Sequence, residues 1–263
     1  MSEAGLTDSS APVLIADADG VRTVTLNRPE ARNAFDSALY RATGAALDAA
    51  DADDTVKVVI LTGAGKGFSA GQDLKEMAGY GVAEPDPGAG DPEEHGFRTF
   101  IAAIERFSKP LIAAVHGAAV GIGTTMLPYC DLVIVADDAR FRLPFVPLGV
   151  VPEAGSSFTI PMALGRQLAN HLLLSGEWLD AADAVSAGLA LTCVPRPDLL
   201  AEAGALARRL AELPLPSLVA TKRLIRAGWL DAARAARARE EAVFTTLLGH
   251  GASRDALDDF LRR

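Results

Sequence analysis

Apolar residues are arranged along this chain in short continuous runs that alternate with longer stretches of helical spacing. The runs predict buried β-strands, and the first two flank Asp19-Gly20, a pair typical of hairpin turns. The predicted strands are 13–16, 21–26, 56–61, 111–115 and 132–136. Asp36 is a suitable N-cap for a helix that runs to about residue 51. Strands that alternate with helices in this way indicate an α/β core.

The pattern changes after residue 153, where Ala- and Leu-rich segments with helical spacing replace the strands. The predicted helices are 166–175, 180–187, 198–212, 216–228 and 231–247. The apolar face of 232–248 fits either the chain's own core or a second subunit, and we expect subunit contact because so many such faces follow the sheet region. The predicted organisation is a disordered N-terminus at 1–11, a core at 12–200 and a helical region at 201–263.

Composition and charge exclude several classes of partner. The 263 residues can bury a sizeable core, and the net charge of −9 argues against nucleic acid as a partner. No apolar run reaches the roughly 18 residues that a membrane span needs. Cys130 and Cys193 lie in apolar runs and are expected to be buried free thiols, which fits a reducing cytoplasm. No Cys/His cluster has metal-ligand spacing. We therefore expect a cytoplasmic protein with no nucleic-acid or membrane partner.

Two segments rich in small residues carry the candidate chemistry. Residues 67–74 follow one apolar strand, and residues 113–123 contain the end of another. Each has the composition of a strand that ends in a turn and opens a helix, and such turns present free backbone N–H groups. Two turns that face one another would hold a developing oxyanion, so the pair indicates carbonyl chemistry.

These segments match two known sequence motifs only in part. Residues 67–71 (Gly-Phe-Ser-Ala-Gly) match the pattern of a nucleophile elbow, but residues 62–66 separate the serine from its strand, and no later histidine has a catalytic context. Residues 121–123 (Gly-Ile-Gly) fall short of a dinucleotide fingerprint because Met126 takes the place of the third glycine. We expect neither a hydrolase triad nor a dinucleotide site.

Glu153 is the candidate base. It lies in the apolar segment 148–157, at the expected start of a helix. One interpretation is a carboxylate that caps the helix, and the other is a base whose pKa is tuned by a desolvated pocket. The residues alone leave both open.

Taken together and in order, these motifs resemble the crotonase superfamily, also called the enoyl-CoA hydratase/isomerase family. The residues that carry the resemblance are 26–29 with 32–34, 67–74, 113–123, 130–131, 148–157, 176, 181–189 and 220–222. The resemblance implies an α/β spiral of ββα repeats, followed by C-terminal helices that build a homotrimer or a dimer of trimers. It also implies an acyl-CoA thioester as substrate, with no metal or redox cofactor.

The resemblance assigns roles to individual residues. The thioester carbonyl would lie between the backbone amides of Ala70 and Ile122. A loop would hold the adenine and pantetheine of CoA through Ser69, Ala70, Gln72, Asp73 and Leu74. The CoA phosphates would be bound by Arg28, Lys66 and Lys222.

Departures from the family pattern bear on the reaction. Hydratases of the family use two glutamates, and the matching positions here are Thr125 and Phe145. The resemblance therefore favours Δ3,Δ2-enoyl-CoA isomerases of the peroxisomal type, in which Glu153 would move the proton alone and Phe145 would help to keep water out. Three alternatives stay open: a hydratase with a rearranged acid/base set, another crotonase reaction such as isomerisation of a ring-epoxidised aromatic acyl-CoA, and a CoA-binding module without catalysis.

Overall fold

The structure, a computed structural model, describes residues 10–80 and 96–262. Residues 1–9, most of the segment predicted to be disordered, lie outside these ranges. The strands are β1 (Val13–Ala18), β2 (Val21–Leu26), β3 (Val58–Gly63), β4 (Leu111–Val115), β5 (Ala118–Val120), β6 (Leu132–Ala136), β7 (Arg140–Arg142), β8 (Trp178–Asp180) and β9 (Thr192–Val194). The helices are α1 (Ser37–Ala52), α2 (Leu74–Tyr80), α3 (Gly96–Arg106), α4 (Ile122–Thr125), α5 (Ser156–Leu164), α6 (Arg166–Ser175), α7 (Ala181–Ser186), α8 (Leu199–Ala211), α9 (Leu215–Ala227), α10 (Leu230–Leu247) and α11 (Gly251–Leu261).

The strands form two sheets. The larger has the order β1-β2-β3-β4-β6-β9, with an antiparallel β1–β2 hairpin and parallel neighbours elsewhere. The smaller has the order β5-β7-β8. From β4 to β7, consecutive strands alternate between the two sheets, since β4 and β6 lie in the larger sheet while β5 and β7 lie in the smaller one. This alternation produces the spiral of ββα units, and the predicted fold class is confirmed.

The two faces of the larger sheet are covered differently. On one face α8 packs against β2, β3, β4 and β6 through small residues at four-residue spacing, among them Ala203 and Ala207. Their small side chains let the helix approach the strand residues Val58, Ile60 and Ile112 closely. The other face carries the larger core, over which α1 and α3 pack together. The site described below is built on this second side of the sheet.

The C-terminal helices cover the chain's own core. Helix α10 packs on α5, and α11 packs on α2 and on residues 146–148. One face of α10 thus covers its own chain, and contact of 232–248 with a second subunit stays a prediction. Helix α9 exposes Leu224 and Ile225, which are 72% and 65% accessible. The trimer or dimer of trimers stays a prediction.

The structure also corrects the predicted burial of one thiol. Cys130 is buried, but Cys193 is exposed because it lies on β9, the edge strand of the larger sheet. Strand β9 and the three strands of the smaller sheet have three residues each, too few to produce a readable hydrophobic pattern. Within 10–80 and 96–262, no helix is long and apolar enough to cross a membrane, and no cluster of His, Cys, Asp or Glu could hold a metal ion.

Candidate active site

A cavity of about 1010 Å³ opens between the loops of the α/β core and the C-terminal helices. Its wall includes Gln72 and Ile122 from the two segments rich in small residues, Glu153 from the turn before α5, and Phe244 from α10. The volume suits a sizeable organic ligand, and the mixture of apolar walls with few polar groups is typical of small-molecule sites. The cavity therefore brings together most of the candidate chemistry.

Glu153 lies half-buried on this wall, in a tight turn that precedes α5. Ala154 and Gly155 follow it with positive φ angles of 59° and 72°, so the chain reverses before the helix begins. The Oγ1 atom of Thr125 donates a hydrogen bond to Oε1 of Glu153 at 3.3 Å. The turn places the carboxyl group in the cavity, with a neutral donor beside it.

The surroundings of Glu153 favour its protonated form. Burial raises the pKa of Glu153 to about 8, and the negative charge of Glu240 acts in the same direction. The hydrogen bond from Thr125 acts in the opposite direction and lowers the pKa. A carboxyl group with a pKa near neutral pH can both accept and return a proton, as a general base that also serves as an acid must do.

The backbone amide of Ala70 is not available as an oxyanion donor. It donates a hydrogen bond to the carbonyl of Arg32 at 2.9 Å. Arg32 and Asn33 have φ angles of 52° and 54°, and this left-handed conformation turns the Arg32 carbonyl into the path of Ala70. The structure thus contradicts the predicted role of the Ala70 amide, although Ala70 itself lines the cavity.

Gln72 offers the free amide instead. Phe35 and Gln72 form an isolated β-bridge. Its hydrogen bonds run from Phe35 N to Gly71 O and from Asp73 N to Phe35 O, so they use the residues on either side of Gln72. The N–H of Gln72 has no hydrogen-bond partner among the described residues. The backbone conformation before Gln72 requires a glycine, because Gly71 has a φ of 92° and a Cβ there would lie 2.8 Å from Val120 O. Sequence reasoning placed Gln72 in the binding loop but missed its amide, for which Gly71 was the only signal.

Ile122 supplies the second free amide. It is the first residue of α4, and the first N–H groups of a helix have no partner inside the helix. Within 10–80 and 96–262 no other group accepts a hydrogen bond from this N–H. Ser69 and Ala119 form a bridge that joins the two segments, which brings the amides of Gln72 and Ile122 to one cavity.

The other predicted binding residues divide into two groups. Leu74 and Phe145 line the cavity. Ser69 is fully buried outside it, and its hydroxyl donates to the carbonyl of Asn33 at 2.8 Å. Asp73 forms an ion pair with Arg28 at 3.3 Å. Ser69 and Asp73 therefore hold the binding loop in shape.

The three cations predicted to meet the CoA phosphates lie outside the residues that form the cavity wall. Arg28 pairs with Asp36 at 3.2 Å as well as with Asp73. Lys222 is buried, pairs with Asp131 at 2.7 Å and donates to a backbone carbonyl. Burial lowers the pKa of Lys222 to about 8 despite this pairing. Only Lys66 among the three is exposed. The structure thus contradicts a phosphate role for Lys222, and Arg28 is engaged within the fold.

Sequence reasoning missed Glu240 altogether. This residue lies on α10, far along the chain from Glu153, yet both line the cavity. The helical pattern of residues 231–247 predicts an amphipathic helix and contains no signal for a carboxylate at an active site. Only the packing of α10 on α5 brings the two glutamates together.

A family model described as enoyl-CoA hydratase/isomerase matches residues 16–263. The chain belongs to this family. It is 34% identical over 251 residues to 2,3-dehydroadipyl-CoA hydratase of Escherichia coli (strain K12), which covers 95% of this chain and 96% of the relative. It is 36% identical over 224 residues to enoyl-CoA delta isomerase 2 of Rattus norvegicus, which covers 84% of this chain and 56% of that longer protein.

Solved structures of this crotonase superfamily agree with the fold. The crystal structure of an enoyl-CoA hydratase/isomerase from Pseudoalteromonas atlantica T6c superposes with a TM-score of 0.88 at 35% identity and covers 95% of this chain and 97% of that one. The relatives carry both hydratase and isomerase names. The comparisons therefore establish a crotonase-family enzyme that processes acyl-CoA, and they do not distinguish the two reactions.

Proposed function

We propose that the protein is a Δ3,Δ2-enoyl-CoA isomerase in which Glu153 moves the proton. The observation that carries the proposal is the cavity itself, in which one carboxyl group of raised pKa lies with two free backbone amides. At the two positions that match the glutamates of hydratases stand Thr125 and Phe145. Neither side chain can act as a general acid or base at neutral pH.

The reaction needs one base and one oxyanion site. Glu153 takes a proton from C2 of a 3-enoyl-CoA, and the electron pair moves through the double bond and the thioester carbonyl to form a dienolate. The amides of Gln72 and Ile122 donate hydrogen bonds to its oxygen. Glu153 then returns the proton to C4, and the product is the conjugated 2-enoyl-CoA. Atoms and charge balance, because the same proton leaves and returns.

The apolar wall supports isomerisation over hydration. Phe145, Leu148 and Val150 line the cavity along with Glu153, and Phe145 and Val150 are themselves buried. A dry site strengthens the hydrogen bonds to the dienolate and keeps water from adding to the product. The raised pKa of Glu153 also matches a group that must give its proton back.

Hydration is the second candidate, because Glu240 places another carboxylate on the cavity wall. A hydratase of the family needs a pair of carboxylates, and Glu153 with Glu240 would be such a pair. The similarity to a 2,3-dehydroadipyl-CoA hydratase points in the same direction. We prefer isomerisation because both oxygens of Glu240 already accept backbone hydrogen bonds.

A paired assay with 3-hexenoyl-CoA and trans-2-hexenoyl-CoA tests the proposal. The expected result is formation of the conjugated product from the first substrate and no hydration of the second. Rapid hydration of trans-2-hexenoyl-CoA would overturn it in favour of the Glu153–Glu240 pair. If neither substrate reacts while CoA still binds, the isomerase proposal fails for simple enoyl chains. A ring-epoxidised aromatic acyl-CoA is then the next substrate to assay.

A further inference from the structure

Glu240 is bound to the turn that carries Glu153 by two short hydrogen bonds. Its Oε2 accepts from the backbone N–H of Gly155, and its Oε1 accepts from that of Ser157, both at 2.7 Å. Glu240 is 6% accessible. Since α5 begins at Ser156, the carboxylate occupies the N-terminus of this helix, where free N–H groups favour a negative charge.

The same turn is held from a second side. The hydroxyl of Tyr129 donates to the carbonyl of Ala154 at 2.7 Å. A Cβ on Gly155 would lie 2.7 Å from Ala233 O and 3.0 Å from the Tyr129 hydroxyl, so the backbone of α10 lies directly against the turn. Ala154 is a non-glycine residue in the left-handed region, a conformation that persists only where the surroundings enforce it.

We propose that Glu240 is a positioning residue, which anchors the turn at residues 153–157 and thereby holds the carboxyl group of Glu153 beside Thr125 in the cavity. The inference rests on the proposed role of Glu153 as the base. It assigns to α10 a part in the reaction beyond that of a cover over the core. It also argues against Glu240 as a second acid: a protonated Glu240 would lose one of its two acceptor oxygens, and with it a hydrogen bond from the backbone of the turn.

Glu240 also acts on Glu153 through its charge. Burial is the larger cause of the raised pKa of Glu153, and the charge of Glu240 is the second. Among the described residues, the other charged or titratable ones on the cavity wall are Tyr40, Arg98, Arg142, Glu241 and His250. None of these five is among the causes of the shift, which leaves Glu240 as the charge to change.

The test compares Glu240→Gln with Glu202→Gln, which removes the same charge from an exposed position on α8, away from the cavity. Carbon-13 NMR of protein labelled at the glutamate carboxyl carbons follows the titration of Glu153 without substrate, and its signal is identified by its loss in Glu153→Gln. In Glu240→Gln we expect the midpoint of this titration to fall by about one pH unit. With 3-hexenoyl-CoA we expect kcat to fall about tenfold while KM stays within about twofold, because the base is misplaced and the binding loop is not. Glu202→Gln should change none of these values.

Three outcomes would overturn the proposal. An unchanged midpoint and an unchanged kcat in folded Glu240→Gln would show that Glu240 does not act on Glu153. A loss of turnover as complete as in Glu153→Gln would make Glu240 a proton-transfer group. If Glu240→Gln does not fold, Glu240→Asp takes its place: it keeps the charge but is one methylene too short for both hydrogen bonds. The proposal then requires a lower kcat with an unchanged midpoint, and an unchanged kcat contradicts it. Because the titration needs no substrate, it gives an answer even where the isomerase assay fails.

Discussion

The hydroxyl of Thr125 donates a hydrogen bond to the carboxyl group of Glu153 across 3.3 Å and so connects α4 with the turn before α5. Thr125 occupies the position where a hydratase of the family would carry a glutamate. A neutral donor there cannot share a proton with Glu153 or repel its charge. Burial and the charge of Glu240 therefore raise the pKa of Glu153, and the hydrogen bond from Thr125 lowers it.

The rate of isomerisation should depend on pH through Glu153. The group acts as a base when it is deprotonated, and its pKa is raised to about 8. We therefore expect kcat/KM for 3-hexenoyl-CoA to rise with pH to a plateau above about 8 and to fall tenfold for each unit below it. Steady-state kinetics between pH 6 and about 9.5 measure this profile. A profile that is flat down to pH 6 would mean that Glu153 is not the base.

Replacement of the base separates chemistry from binding. Glu153→Gln keeps the size of the side chain and removes the titrating group, so kcat should fall about 1,000-fold or more. The affinity for CoA, measured by calorimetry, should stay within about twofold because no role in CoA binding is proposed for Glu153. Near-normal turnover in this variant would remove Glu153 from the mechanism.

The amide of Ile122 can be removed without loss of α4. Proline is tolerated at the first position of a helix because that N–H has no intrahelical partner. Ile122→Pro and Ile122→Ala both lose the buried side chain, but only the proline variant loses the N–H. We expect kcat to be about 100-fold lower in Ile122→Pro than in Ile122→Ala, with similar thermal midpoints. Equal kcat values would exclude the Ile122 amide as an oxyanion donor.

The sequence predicts the parts of this fold that have long, regular patterns. The strands at 21–26, 111–115 and 132–136 and the helix at 166–175 have the predicted bounds. The strands of the smaller sheet could not be predicted, since three residues carry too little periodicity. Which elements α10 packs against was also not predictable, because an amphipathic pattern shows that a helix has an apolar face but does not show what that face contacts.

The site was predictable to a similar extent. Glu153 and Ile122 stand out from their local sequence and from the resemblance, and both line the cavity. Whether Ala70 or Gln72 offers a free amide depends on which of the two N–H groups donates to the carbonyl of Arg32. A hydrogen bond between two loops cannot be deduced from the sequence. Lys222 fails as a phosphate ligand for a related reason, since its partner Asp131 precedes a separate strand.

The turn after Glu153 should tolerate no side chain at Gly155. An alanine there must adopt a φ of 72° and would place its Cβ 2.7 Å from Ala233 O. We expect Gly155→Ala to lower the free energy of unfolding by about 3 kcal/mol, measured by urea denaturation. Gly204→Ala is the matched control, because Gly204 lies inside α8 and its nearest contact is the flexible end of Arg208 at 3.3 Å. This control should stabilise the protein by about 0.5–1 kcal/mol. Equal effects of the two variants would contradict the packing of α10 against the turn.

Lys222 and Lys66 should behave in opposite ways, although the resemblance assigns both to the CoA phosphates. Lys222 is buried against Asp131, so Lys222→Met leaves that carboxylate without its cation and should lower the free energy of unfolding by about 3 kcal/mol. The variant should bind CoA with unchanged affinity at a temperature where it is folded, because Lys222 lies outside the residues that form the cavity wall.

Lys66 is exposed, so Lys66→Met should leave the free energy of unfolding within about 0.5 kcal/mol of that of the unchanged protein. If Lys66 meets a phosphate, its loss should weaken CoA binding by about fivefold, or roughly 1 kcal/mol. Calorimetric titration with CoA, together with urea denaturation of both variants, measures these effects. Weaker CoA binding by folded Lys222→Met would restore the phosphate role that the ion pair with Asp131 argues against.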